Sequence, residues 1–151
     1  MADRNKEKAY LRGEELYKVI IGDGSSDVET ALGRMMMYLG FKSKLTGTRY
    51  LNTAIVHRYQ RSGAARVSLT GEIYPVVAEK ECSTVNRVER AIRNAIKDCA
   101  DNGNLIALND LTHSQLVEPK FSPTNGELIC IIADWLRLER KKGVILDKYT
   151  E

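Results

Sequence analysis

The residues of this chain best equipped for chemistry lie between Ser83 and Lys97. At helical spacing Asn86, Arg87, Arg90, Arg93, Asn94 and Lys97 share one side of that stretch. A guanidinium forks onto the O6 and N7 edge of guanine, a carboxamide pairs with adenine, and any of the cations neutralises a phosphate. The opposite side carries Val85, Val88, Ile92, Ala95, Ile96 and Cys99, the stripe of a helix lying on a core. A helix wet on one face needs polar residues there, but it does not need three arginines and two asparagines. DNA recognition is the sharp reading of this face, and a merely solvated surface is the plain one.

The elements that must hold such a helix are legible around it. Leu69–Lys80 reads as a shorter helix, with Thr70 able to cap its start and Ile73, Val76 and Val77 facing inward. Pro75 is tolerated only in a first turn, where its missing N–H loses no helical hydrogen bond, so the helix starts near Gly71 or later. Only Glu81, Cys82 and Ser83 separate the two helices, with Ser83 or Thr84 as the cap of the second. A short helix, a tight turn and a longer basic helix make the helix-turn-helix plan, here without the glycine often found in the turn.

Elsewhere the chain is mostly helical. From Ser26 or Asp27 as cap, Val28, Ala31, Leu32, Met35, Met36 and Leu39 keep one helical stripe, which Gly40 ends. A second helix runs from about Thr48 through Arg61 and stops near Gly63, with Leu51, Ala54, Ile55 and Tyr59 inward. His57 on it is expected to be solvated or hydrogen-bonded. Asn102-Gly103-Asn104 stops the basic helix, and Leu105, Ile106, Leu108 and Leu111 suggest a short helix before a loop bounded by Pro119 and Pro123. Thr124 and Glu127 form a capping box for a last helix whose apolar residues cover more than one face. Such a helix is either central in the core or shared with a second subunit. The first 26 residues differ: a charged lead, then Leu16–Ile21, which fits a short strand or the end of a helix, then the turn-rich Gly22–Asp27. The fold class expected is all-α, a compact bundle of about six helices containing a helix-turn-helix. Residues 1–26 form an N-terminal extension, 27–142 a DNA-binding domain and 143–151 a tail.

Composition narrows the function. The 43% hydrophobic and 28% charged residues argue against both disorder and a membrane span. A net charge of +3 is too mild to prove a nucleic-acid partner, so the signal is local to the basic helix. Cys82, Cys99 and Cys130 are an odd set without ligand spacing, which argues for a reduced compartment and against a metal or catalytic role. Cys99 and Cys130 both fall in apolar helical stripes. No cofactor and no enzymatic activity are expected, since two distant histidines and no nucleophile motif offer nothing to build on.

Taken together, Tyr74-Pro75, Thr84–Ile96, Gly103-Asn104, Pro123–Glu127 and Ala133–Glu139 closely resemble the effector domain of the stage zero sporulation protein A family, the response regulators that start endospore formation. Extended back through Gly40 to Ile55, the resemblance covers roughly residues 27–142. It implies a six-helix domain that binds a promoter element with a CGA core, often as tandem head-to-tail dimers, in the cytoplasm at the nucleoid. The family's recognition residues fall on Arg87, Glu89, Arg90, Arg93 and Asn94. Arg90, central on the polar face, suits the guanine fork. Glu89 suits a cytosine amino group or an i, i+4 pair with Arg93, and Arg87, Arg93 and Lys97 suit phosphates. Asn94 stands where the family commonly has histidine. The resemblance further implies a contact from about Asn104–Gln115 to the sigma subunit of RNA polymerase, and dimer contacts from the last helix.

Family members carry a receiver domain ahead of the effector domain, and only 26 residues precede the match here. Lys18–Asp23 is similar to a receiver's first strand and acidic turn, but one strand cannot fold such a sheet. The expectation is a regulator not switched by phosphorylation of its own receiver. The alternative is a protein-interaction regulator that pairs with a full-length family member or with RNA polymerase and binds DNA weakly. Retention of Glu89, Arg90 and Arg93 favours the first.

Overall fold

The computed structural model describes residues 11–61 and 67–146. Among them are seven α-helices and no strand, so the all-α expectation holds. The helices are α1 (Gly13–Ile21), α2 (Val28–Leu39), α3 (Thr46–Gln60), α4 (Tyr74–Lys80), α5 (Val85–Asn102), α6 (Ala107–Thr112) and α7 (Asn125–Lys141). A single π-helical turn, Leu69–Ile73, leads directly into α4.

Local chemistry sets the ends. The Asp27 carboxylate accepts from the Thr30 N–H at 2.8 Å and starts α2, while Gly40, left-handed at φ 90°, ends it. At α7 the Glu127 N–H donates to Thr124 Oγ1 and the Thr124 N–H to Glu127 Oε1, so both bonds of the capping box are made. Helix α3 lies at the centre, against α5 on one side and α7 on another, while α1 packs on α2 and α6. Leu51, Ile55, Tyr59, Ile92, Ile96, Leu128, Ile132 and Leu136 are buried between them.

The structure corrects several expectations. Leu16–Ile21 belongs to a helix, which puts Leu16 and Ile20 together in the core and leaves Lys18 outside. As a strand the run would have placed Lys18 on the same face as those two. Lys18–Asp23 is therefore the end of α1 and its following turn, not a receiver strand. Packing also continues past both expected domain limits. Tyr17 Oη donates to the buried Glu139 of α7, Ile145 is buried, and the Leu146 N–H reaches the Ser26 carbonyl at 2.9 Å. Ser68, not Thr70, caps the turn before α4, and Val76 is only half-buried. Cys130 is exposed, because α7 turns that edge of its stripe to solvent. The stop expected near Gly63 lies outside the described residues.

Candidate nucleic-acid interface

The helix-turn-helix is built by short-range bonds. Ser68 Oγ accepts from the Gly71 N–H at 2.9 Å, opening the π turn, and Pro75 sits in the first turn of α4. At the far end the Ser83 N–H closes onto the Ala78 carbonyl at 2.8 Å. That closure needs a left-handed residue, and Cys82, exposed with φ 52°, takes the place glycine usually fills. Thr84 Oγ1 then accepts from the Arg87 N–H at 3.2 Å and starts α5. Arg49 of α3 pairs with Glu81 at 2.6 Å, tying the turn to the scaffold.

Helix α5 is seated at three levels. Near its middle Gly47 of α3 meets it backbone to backbone, with room for no side chain: a β-carbon there would lie 1.9 Å from the Ala91 carbonyl oxygen. Toward its C-terminus the Cys99 thiol donates to the Leu39 carbonyl at 3.1 Å. Burial pushes that thiol up to about 12, so it stays a neutral donor. Near its N-terminus Asn125 of α7 donates from Nδ2 to Tyr74 Oη at 3.0 Å and to the Glu89 carbonyl at 3.1 Å. Val88, Ile92, Ala95, Ile96 and Cys99 are buried as their spacing requires.

The opposite face is wet. Asn86, Arg87, Arg90, Arg93, Asn94 and Lys97 are exposed, and Glu89 is half-buried at the edge. Arg93 Nη1 straddles both oxygens of Glu89, at 2.8 and 2.6 Å. Lys97 lies 3.6 Å from Asp101. Exposed pairs of this kind contribute only a few tenths of a kcal/mol and give way to a stronger anion. Among the described residues Arg87, Arg90 and Asn94 have no side-chain hydrogen bond or ion pair. A groove of about 540 Å³ runs beside the Glu89–Arg93–Lys97 ridge, walled by Tyr74 and by Ser122–Gly126 ahead of and into α7. The helix thus offers cations and carboxamides on a rigid rod narrow enough for the major groove.

All six residues expected at the site therefore lie on one helix, with five fully on its wet face and Glu89 at its margin. The supports were harder to see in the sequence. Gly47, Cys82 and Asn125 gave no local sign of their roles, since each acts through backbone geometry or a partner remote in the chain. No helix among the described residues is long and apolar enough to cross a membrane.

The model of the family described as Sporulation initiation factor Spo0A C terminal matches residues 32–136, from within α2 to within α7 and across the whole helix-turn-helix. That is a family of DNA-binding regulators and not a known family of enzymes. With the match spanning well over half its length, the chain belongs to the family of the DNA-binding C-terminal domain of sporulation initiation factor Spo0A.

Proposed function

We propose that this protein reads a short CGA-containing promoter element through α5 and so regulates transcription at the onset of sporulation. The observation that carries the proposal is Arg90: exposed, central on the wet face, and without a partner among the described residues. Arg87 is equally unpaired among the described residues, but Arg90 is the one central on the face and so the better placed to fork onto a guanine. Arg87, Arg93 and Lys97 flank it and neutralise phosphates, which sets register without reading sequence. Glu89 is held by Arg93 in the free protein and turns to a cytosine amino group only when a phosphate takes Arg93 from it. Asn94 adds a carboxamide toward flanking bases.

The same reading has the protein bind as a homodimer on tandem elements, partly through α7, where Leu138 is 56% exposed. It assigns Asn104–Gln115 to the sigma subunit of RNA polymerase. Exposure of Ile106, His113 and Gln115 on that segment supports the assignment. That Lys18–Asp23 completes a helix and its turn, and not a receiver's first strand, supports a regulator not switched by phosphorylation of its own receiver.

Fluorescence anisotropy on duplexes with the element intact or scrambled, across salt concentrations, tests this. Arg90→Ala should remove about 1–3 kcal/mol of discrimination between the duplexes. Lys97→Ala should weaken both equally and lower the salt slope by about one. Weak, sequence-blind binding by the wild type would instead favour a regulator acting through protein contacts.

A further inference from the structure

Two of the sequence motifs singled out above, Tyr74-Pro75 and Pro123–Glu127, have no residue on the wet face of α5, yet they meet behind it. We propose that Asn125 is a positioning residue for sequence reading: it fixes the back of the recognition helix to α4 and α7 at Glu89 and so sets how the reading side chains project. The inference rests on α5 being the DNA-reading element.

Asn125 occupies the first position of α7 and is 7% exposed, and Tyr74 is 3% exposed. One Nδ2 hydrogen goes to the Tyr74 hydroxyl and the other to the Glu89 carbonyl. These partners lie 51 and 36 positions away in the chain. A helical carbonyl keeps a second lone pair beside its i+4 bond, and Asn125 uses that lone pair. The carbonyl also fixes the amide's orientation, since only the N–H side of the carboxamide can face it. Burial raises the Tyr74 hydroxyl above its ordinary range, so it stays neutral and able to accept.

The position of the bond within α5 gives it its consequence. Asn125 holds the backbone of Glu89 from the core side while the Glu89 side chain holds Arg93 on the solvent side. A shift of the backbone here moves Glu89, Arg90 and Arg93 at once. The capping box, one residue before Asn125 and two after, sets the start of α7 itself. An alanine at 125 would take the shared donor from the Tyr74 hydroxyl and the Glu89 carbonyl, and water from the adjoining groove could bond either one but would not tie α5 to α7. An aspartate would set a carboxylate against that carbonyl. A misplaced helix still presents its charge to phosphates, but it no longer registers a guanidinium on a base edge.

The wild-type chain of 151 residues, Asn125→Ala and Tyr74→Phe are compared by anisotropy on the intact and scrambled duplexes, with thermal melting to verify folding. Asn125→Ala should lower the ratio of intact to scrambled affinity roughly tenfold, the worth of about one base contact. Affinity for the scrambled duplex and the salt slope should stay within about twofold, because every phosphate-facing charge remains. Tyr74→Phe keeps the Glu89 bond and should retain most of the ratio. Should Asn125→Ala not fold, Asn125→Ser, whose shorter hydroxyl reaches one acceptor at most, takes its place with the same expectation. An unchanged ratio, or equal losses on both duplexes, overturns the inference. A wild type that shows no preference overturns the DNA reading as well, which separates the two failures.

Discussion

Residues of one type carry opposite duties in this protein, and their partners decide which. Arg90 is exposed and unengaged among the described residues, whereas Arg61 is paired through Nε with Glu72 at 2.8 Å. Glu72 also accepts from His57 at 2.6 Å, so the π turn before α4 is tied to the end of α3 through one carboxylate. The His57 hydrogen bond first, and then Arg61, hold that carboxyl below the ordinary glutamate range. A folded value lower than the unfolded one means that protonation favours the unfolded chain. Its contribution is complete above the ordinary glutamate value, about 4.3, and is lost as pH falls through the lower folded value. Glu72→Gln should therefore lower the urea midpoint at neutral pH and flatten the acid side of its pH profile. A parallel acid limb in the variant would show that Glu72 is not among the groups that set it.

At the scale of elements, the crossing of α3 and α5 seats the helix that carries the candidate interface. Gly47 lets the two backbones touch, and Gly47→Ala would drive its β-carbon into the Ala91 carbonyl. One helix must then move, at a cost of roughly 1–3 kcal/mol or more. Gly33 in α2 makes the contrast: nothing lies within 4 Å of its would-be β-carbon. Gly33→Ala should stabilise by about 0.4–1 kcal/mol through the unfolded chain alone. Urea midpoints should thus move in opposite directions for the two variants, and affinity for the intact duplex should fall only for Gly47→Ala. Movement in the same direction would argue against a tight crossing.

For the whole molecule, the question is whether α1 is an appendage or part of the bundle. Leu16 and Ile20 are fully buried in the same core that holds Leu111 of α6 and Trp135 of α7. Burial, and next the bond to Glu139, push the Tyr17 hydroxyl up to about 12, so Tyr17 remains a neutral donor to α7. Leu16→Ala should accordingly cost about 2–5 kcal/mol, as for other large core residues. Calorimetry should show one transition at a lower temperature. A melt that splits in two, or a midpoint left unchanged, would return α1 to the status of an attached segment.

The sequence by itself determined the helices, most of their ends and the residues of the wet face. Helical periodicity, the Thr84 and Thr124 caps, Gly40 and the placement of Pro75 are all local, and local chemistry can be read one turn at a time. It left Leu16–Ile21 open between strand and helix, because a six-residue apolar run has too few periods to decide. It placed Cys130 inside, because a stripe does not reveal how far around a helix its neighbours reach. The tertiary structure alone decided that residues 13–21 and Ile145 share the core, that Gly47 meets Ala91, and that Asn125 holds both Tyr74 and Glu89. Each of these joins groups more than thirty positions apart. Such contacts form only when the chain closes on itself, so no window of the sequence contains both partners. The type and spacing of the wet-face residues were written locally; the packing that holds their helix was not.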